Sequence, residues 1–216
     1  MGDRAIVLLS GGLDSAVCLW WTMKKGWEPL TLTFNYHQRN PRELKATERL
    51  TQESDAKEYK VIEVPFLMEV MDNPLNGVEH YEDEIPSSYI PARNTVFYAI
   101  AASWAETVDA AWIVGGHNKI DFTHYPDSQP NYIEAMNRSL KLGTFIGQRR
   151  GLNIVTPLAG LSKVEILKMA LTLEVPLHLT WSCHGKGEKA CGLCEACRVR
   201  KDVFRQVGID DPIEYD

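Results

Sequence analysis

With 216 residues, 44% of them hydrophobic and 24% charged, the chain can bury one full core without disulfide support, and it carries no low-complexity tract. A net charge of −6 argues against general attraction to a phosphate backbone, so no stable nucleic-acid partner is expected. No run approaches the ~20 apolar residues of a membrane helix, and the first nine residues lack the basic start and cleavage site of a signal peptide; the expected location is the cytoplasm, with no membrane partner.

Ala5-Ile6-Val7-Leu8-Leu9 is a continuous apolar run rich in strand formers, which predicts a strand buried on both faces of a parallel sheet. Ser10-Gly11-Gly12 breaks it. Asp14 or Ser15 is expected to cap a helix with Ala16, Leu19, Trp20 and Met23 at 3–4 spacing, ending near Gly26. A strand over 29–34, a charged helix over 41–54 and a strand over 60–64 follow. After a polar, Pro-containing stretch over 71–91, the pattern gives a helix over 95–107 and a buried strand over 110–114. A helix over 132–146, a short strand at 154–155 and a helix over 163–173 complete it. Strand–helix alternation throughout predicts an α/β, Rossmann-like, doubly wound parallel sheet with ligands beyond the carboxyl ends of the strands. The expected division is an α/β domain over 1–175 and a cysteine-bearing C-terminal extension over 176–216 packed on it.

The first strand runs into Ser10-Gly11-Gly12-Leu13-Asp14-Ser15. Two glycines let the backbone turn sharply and approach a ligand, and successive N–H groups at a helix N-terminus favour an anion. Ser10 and Ser15 add hydroxyl donors, and Asp14 offers a carboxylate for Mg²⁺. The Gly-Lys-Ser/Thr ending of the common P-loop is absent, which removes a kinase or GTPase reading. A bland Gly-Gly turn with a capping Asp is the competing account of a lone pair of glycines. The complete string on a first strand instead resembles the PP-loop of the ATP pyrophosphatase superfamily, a fold of HUP type whose members adenylate an oxygen and release pyrophosphate. That resemblance implies ATP as cosubstrate, with Leu8, Leu9, Ser10, Gly11, Gly12, Leu13, Asp14 and Ser15 at the nucleotide. It also implies that Lys163, just after a capping Ser162, reaches the phosphates.

Cys183, Cys191, Cys194 and Cys197 place four thiols within fifteen residues. Two Cys-x2-Cys steps let sulfurs converge, and a glycine-containing loop returns Cys183 to close a tetrahedron around a structural Zn²⁺. Four sulfur ligands leave no open position for hydrolysis. A redox Cys-x2-Cys needs only two cysteines, and a zinc-ribbon nucleic-acid module sits poorly with an acidic chain. Cys18 is expected in the core.

Three segments together sharpen the resemblance: the Ser10–Ser15 loop, Ile85-Pro86-Ser87-Ser88-Tyr89-Ile90-Pro91-Ala92-Arg93-Asn94-Thr95, and Thr180-Trp181-Ser182-Cys183 ahead of the Cys-x2-Cys-x2-Cys run. The combination is similar to the 7-cyano-7-deazaguanine (preQ0) synthase family over nearly the whole chain. The resemblance implies an ATP-dependent carbon–nitrogen ligase of queuosine-type deazaguanine biosynthesis. It would convert 7-carboxy-7-deazaguanine and ammonia to the nitrile through an acyl adenylate and an amide, working as a homodimer. Asp14, Lys163 and Arg93 are the candidate catalytic residues. Gln38, Arg39, Arg93, Asn94, His117, Asn118, Asp121 and Asp127 are the candidates for the substrate pocket: Arg93 can bind an anion bidentately, Asn94 can donate and accept, Gln38 and Arg39 follow the second strand, and His117 and Asn118 follow the fourth with Asp121 and Asp127 close by. A paralogue joining the same activated acid to another amine, and a tRNA-thiolating PP-loop enzyme, are the alternative readings.

Overall fold

The computed structural model describes residues 3–36, 41–71 and 89–216. Five strands form one all-parallel sheet: β1 (Arg4–Leu8), β2 (Glu28–Asn35), β3 (Glu58–Glu63), β4 (Trp112–Val114) and β5 (Asn153–Val155), in the spatial order β3-β2-β1-β4-β5. The chain moves outward from β1 to β3 and then crosses to the other side of β1 for β4 and β5. The topological switch point therefore lies between β1 and β4, paired in register Ala5↔Trp112 through Val7↔Val114. A crevice opens there beyond the carboxyl ends of the strands.

Helices cover both faces, as right-handed crossovers require. They are α1 (Leu13–Lys24), α2 (Arg42–Glu53), α3 (Phe66–Met71), α4 (Arg93–Val108), α5 (Lys119–His124), α6 (Pro130–Gly143), α7 (Phe145–Arg149), α8 (Lys163–Thr172) and α9 (Glu195–Val207). Because side chains alternate across a strand, β1 divides its residues between two cores. Ala5, Val7 and Leu9 pack with Ala16 and Leu19 of α1, Ile166 and Leu167 of α8, and Phe204 of α9. Ile6 faces the opposite way, toward Tyr98, Ala101 and Ala105 of α4 and Ile133 and Leu140 of α6. Burial on both faces is why β1 reads as an unbroken apolar run. The buried threonines of β2 are satisfied locally: Thr33 Oγ1 donates to the Leu9 carbonyl (2.9 Å), and Thr31 and Thr51 hydroxyls lie 3.1 Å apart.

Several local expectations needed correction. Neither Asp14 nor Ser15 caps α1; Gly12 is the N-cap residue, and no side chain caps it. The helix expected over 132–146 is two helices. Its chain leaves the helix at Thr144, whose hydroxyl caps α7 by accepting from the Gly147 amide (2.9 Å). The short helix α5, which holds Asp121, and α9 after the third cysteine lie outside those expectations.

The C-terminal segment packs directly on the sheet domain. Val203 and Phe204 of α9 enter the same core as α1 and α8. Arg200, buried, donates Nε and Nη2 to the Asp211 carboxylate (2.8 and 3.0 Å) and Nη1 to Thr180 Oγ1 (2.8 Å). Among the described residues no helix is long and apolar enough to cross a membrane.

Candidate active site

The loop after β1 is shaped by contacts that only glycine permits. Gly11 has φ +84°, and a Cβ there would stand 2.6 Å from the Glu43 carbonyl oxygen, so the first turn of α2 closes directly over the loop. Ser15, buried, ties the loop together: its Oγ accepts from the Ser10 amide and lies 3.1 Å from Ser10 Oγ. The first-turn amides of α1 have no partners within the helix and point beyond the strand end. Backbone donors and the positive end of a twelve-residue helix make the loop a candidate cradle for an anion.

On the far side of the crevice, the segment after β4 approaches the same loop. A Cβ on Gly116 would sit 3.4 Å from the Ser15 amide nitrogen, and one on Gly115 would stand 2.2 Å from Tyr98 Oη. Asn118, buried, donates Nδ2 to Asp14 Oδ2 (2.8 Å) and caps α5 through a reciprocal box with Asp121. Asp14 Oδ2 also accepts from Lys163 Nζ (2.7 Å). Lys163 is the first residue of α8, held in place by the Ser162–Glu165 capping box.

A cavity of about 630 Å³ opens between these elements. Of the residues named from sequence, Leu8, Leu9, Ser10, Gly12, Leu13, Asp14, Ser15, Arg93, Asn94, His117, Asp121 and Lys163 line it. Gly11, Asn118 and Asp127 stand behind its wall. Asp127 is buried and accepts from the amide and side-chain nitrogen of Asn94 (2.9 and 3.1 Å), fixing the start of α4. Gln38 and Arg39 lie outside the described residues.

Electrostatics separate the cavity's ionisable groups. Burial lowers His117 to about 4, so its imidazole is neutral at pH 7, and its Nε2 lies 2.7 Å from the Tyr98 hydroxyl. Burial pushes Glu43 up to about 7, with Arg93 opposing the shift. Asp121 is also raised by burial, against the Asn118 amide bond that favours its charged form. Glu43, Tyr98 and the aromatic wall of Phe34, Phe97 and Tyr36 were not anticipated. Glu43 reads in sequence as an ordinary first-turn acid, and the aromatics as core.

The second cluster closes as expected. The Sγ atoms of Cys183, Cys191, Cys194 and Cys197 all lie within 4.8 Å of one another, with Cys191 and Cys197 4.0 Å apart. Four sulfurs each ~2.3 Å from a central Zn²⁺ stand about 3.8 Å apart, so the set fits a tetrahedral ion. Amides of Gly185 and Cys191 donate to Cys183 Sγ (3.2 and 3.3 Å), and that of Cys194 to Cys191 Sγ (3.4 Å), which favours thiolates. The cluster adjoins the cavity. Trp181 and Ser182 line it, the Trp181 amide donates to the Gly11 carbonyl (2.8 Å), and Trp181 Nε1 donates to the Cys183 carbonyl (3.0 Å).

Comparison with known proteins agrees with this arrangement. The family described as "Queuosine biosynthesis protein QueC" matches residues 4–208. A 7-cyano-7-deazaguanine synthase of Thermoplasma acidophilum is 42% identical, with 99% of this chain and 92% of that protein covered. The synthase of Acetivibrio thermocellus is also 42% identical (98% and 97% covered), and that of Oceanobacillus iheyensis 38% (99% of each). Among solved structures, a 4-thiouridine synthetase–RNA complex with bound ATP shares the fold at TM-score 0.54 and 18% identity, covering 95% of this chain and 50% of that one. The NMN synthetase of Francisella tularensis does so at 0.53 and 16%, covering 96% and 78%. A PP-loop, a four-sulfur cluster braced against it and end-to-end similarity at these identities leave one assignment: the chain belongs to the QueC family of queuosine biosynthesis proteins.

Proposed function

We propose that the chain is a 7-cyano-7-deazaguanine synthase, an ATP-dependent carbon–nitrogen ligase acting on 7-carboxy-7-deazaguanine. The observation that carries the reading is the meeting of the PP-loop, the Asp14–Lys163 pair and Arg93 around one cavity at the sheet's switch point.

The substrate carboxylate attacks the α-phosphorus of ATP, and pyrophosphate leaves into the cradle of residues 10–15. Backbone amides and Lys163 stabilise the charge developing on it. Ammonia then attacks the acyl carbon, AMP departs and an amide remains. The amide oxygen attacks a second ATP in the same way; loss of the amide protons and AMP leaves the nitrile. Arg93 is suited to hold the carboxylate through paired N–H donors. Asp14, with phosphate oxygens, would hold Mg²⁺, which usually takes one or two protein carboxylates and keeps several waters. The four cysteines would hold a structural Zn²⁺.

The thiolating alternative needs a reactive cysteine at the cavity. Cys18 is buried, with its thiol directed at the Gly115 carbonyl, and the other four converge on one another. A cytoplasmic homodimer completes the reading; the turn between α6 and α7 exposes Leu142 and Phe145, and sedimentation would test it.

Incubation with 7-carboxy-7-deazaguanine, ATP, Mg²⁺ and ammonium tests the function. Mass spectrometry should show the amide and then the nitrile, with AMP and pyrophosphate released. ATP consumption that yields neither product would overturn the reading in favour of another amine acceptor.

A further inference from the structure

Four carboxylates line the cavity: Asp14, Glu43, Asp121 and Glu195. Asp14 is committed to Lys163 and Asn118, and Asp121 to the Asn118 amide. Glu195 is exposed at the rim, in the first turn of α9. Glu43 differs from all three. It is partly buried, its carboxylate accepts no hydrogen bond from the described residues, and Arg93 is a charged neighbour. Burial is also why its carboxyl is pushed up to about 7, with Arg93 opposing the shift.

The cavity that Glu43 lines also has aromatic walls, of which Tyr36 is near enough to feel its charge. Phe34 and Phe97 stack at 3.9 Å with planes 2° apart, and the Arg93 guanidinium lies 5.9 Å from the Tyr36 ring centre. A planar heterocycle fits against such a surface, and its edge must then meet the polar groups on offer. From Glu43 to Arg93 that sequence is acceptor, then donor.

We propose that Glu43 selects the acid substrate by its ring edge, accepting from the adjacent ring N–H and exocyclic amino group while Arg93 donates to the neighbouring oxo group and carboxylate. The inference rests on the synthase reading. A 2-amino-4-oxo pyrrolopyrimidine presents two donors side by side, then an oxo acceptor, with the carboxylate on the five-membered ring next along the molecule. A carboxylate can bind both donors at once, and a guanidinium the two acceptors that follow. Adenine offers a donor beside a bare ring nitrogen, so at Glu43 it would set lone pair against lone pair. An enzyme that holds two purine-like rings in one cavity needs such a discriminator, and an unmet polar partner rejects the wrong ring far more strongly than shape alone.

Steady-state kinetics of the full chain and its Glu43→Gln variant test this, with 7-carboxy-7-deazaguanine and with its analogue lacking the 2-amino group. Replacing one acceptor oxygen by an amide should raise KM for the acid about 10- to 100-fold and leave KM for ATP within about twofold. The penalty for removing the amino group should shrink in the variant. A rise confined to KM for ATP would place Glu43 at the nucleotide and overturn the proposal, as would unchanged KM values or an undiminished amino-group penalty. If Glu43→Gln does not fold, Glu43→Asp with equilibrium dialysis of the acid replaces it; weakened binding supports the proposal and unchanged binding overturns it. Wild-type protein that never consumes the acid would sink the synthase reading itself, and this inference with it. An active wild type with an indifferent Glu43 would sink this inference alone.

Discussion

Lys163 Nζ lies 2.7 Å from Asp14 Oδ2, joining the first turn of α8 to the first turn of α1 across the switch point of the sheet. Asn118 Nδ2 reaches the same oxygen from beyond β4 (2.8 Å). One carboxylate thus ties together three segments distant in sequence, each arriving at the loop after β1 from a different part of the fold.

That pair is partly buried, with Lys163 30% and Asp14 18% exposed in their side chains, so its own contribution to stability is modest, about 1 kcal/mol. Its place beside the cradle makes the opposite expectation for chemistry. Asp14→Asn should lower kcat by at least about 100-fold while the thermal melt moves little, because the amide oxygen can still accept from the buried Asn118. Pyrophosphate release and a melting curve on the same preparation check both halves, and retained turnover would remove Asp14 from the machinery.

Arg200 and Asp211 make the reverse case, with side chains 4% and 7% exposed. Asp211→Ala leaves a buried guanidinium short of a partner and should cost about 3–5 kcal/mol. A double change, Arg200→Met with Asp211→Leu, removes both charges and should cost less than the single one. Urea denaturation of the variants decides it; a double variant worse than Asp211→Ala would contradict the desolvation argument.

His117 gives a pH signature. Its folded value of about 4 lies below the ordinary 6.5, so between those limits the unfolded chain binds a proton that the native protein does not. Stability is lost as pH falls through that window, by up to about 1.4 kcal/mol per pH unit. Glu43 acts in the opposite sense: raised to about 7, it favours folding at low pH and loses that contribution as pH rises from 4.5 to 7. The two partly cancel in the native chain. His117→Gln should therefore leave a protein whose stability falls more steeply, or rises less, with increasing pH between 4.5 and 6.5. Melting curves across that range test it, and parallel profiles would contradict the neutral imidazole.

The parts of this molecule legible in sequence are those where residue type alone dictates the outcome. A short apolar run rich in strand formers and ended by Gly-Gly suits a strand covered on both sides, and β1 is one. Gly11 and the four cysteines are similar: nothing else tolerates that backbone, and nothing else makes that cluster. What stayed hidden depends on pairing across the chain. Asp127 has the chemistry of a ligand-binding residue, yet both its oxygens serve Asn94. Glu43 looks like a surface acid of an amphipathic helix until the fold turns it into the cavity. The break at Thr144 was missed because apolar spacing continues through it, while the hydroxyl that restarts the helix is a local signal easily outvoted.

Cys194→Ser should lower bound zinc below one per chain, by elemental analysis, and reduce stability, because a structural ion's binding energy is folding energy for the loop it closes. Unaltered zinc content would count against the four-sulfur site.

The bond from the Trp181 amide to the Gly11 carbonyl carries a consequence for how the protein comes apart. The strap after the sheet ends is fastened to the loop that begins it, and α9 shares a core with α1 and α8. Residues 1–175 alone would keep their strands but leave the cradle unfastened on one side. Calorimetry of the intact chain should accordingly record a single cooperative transition, with metal and nucleotide each raising its midpoint and each tightening the other's hold. The cysteine lobe, by that measure, would serve as the far wall of the proposed nucleotide site.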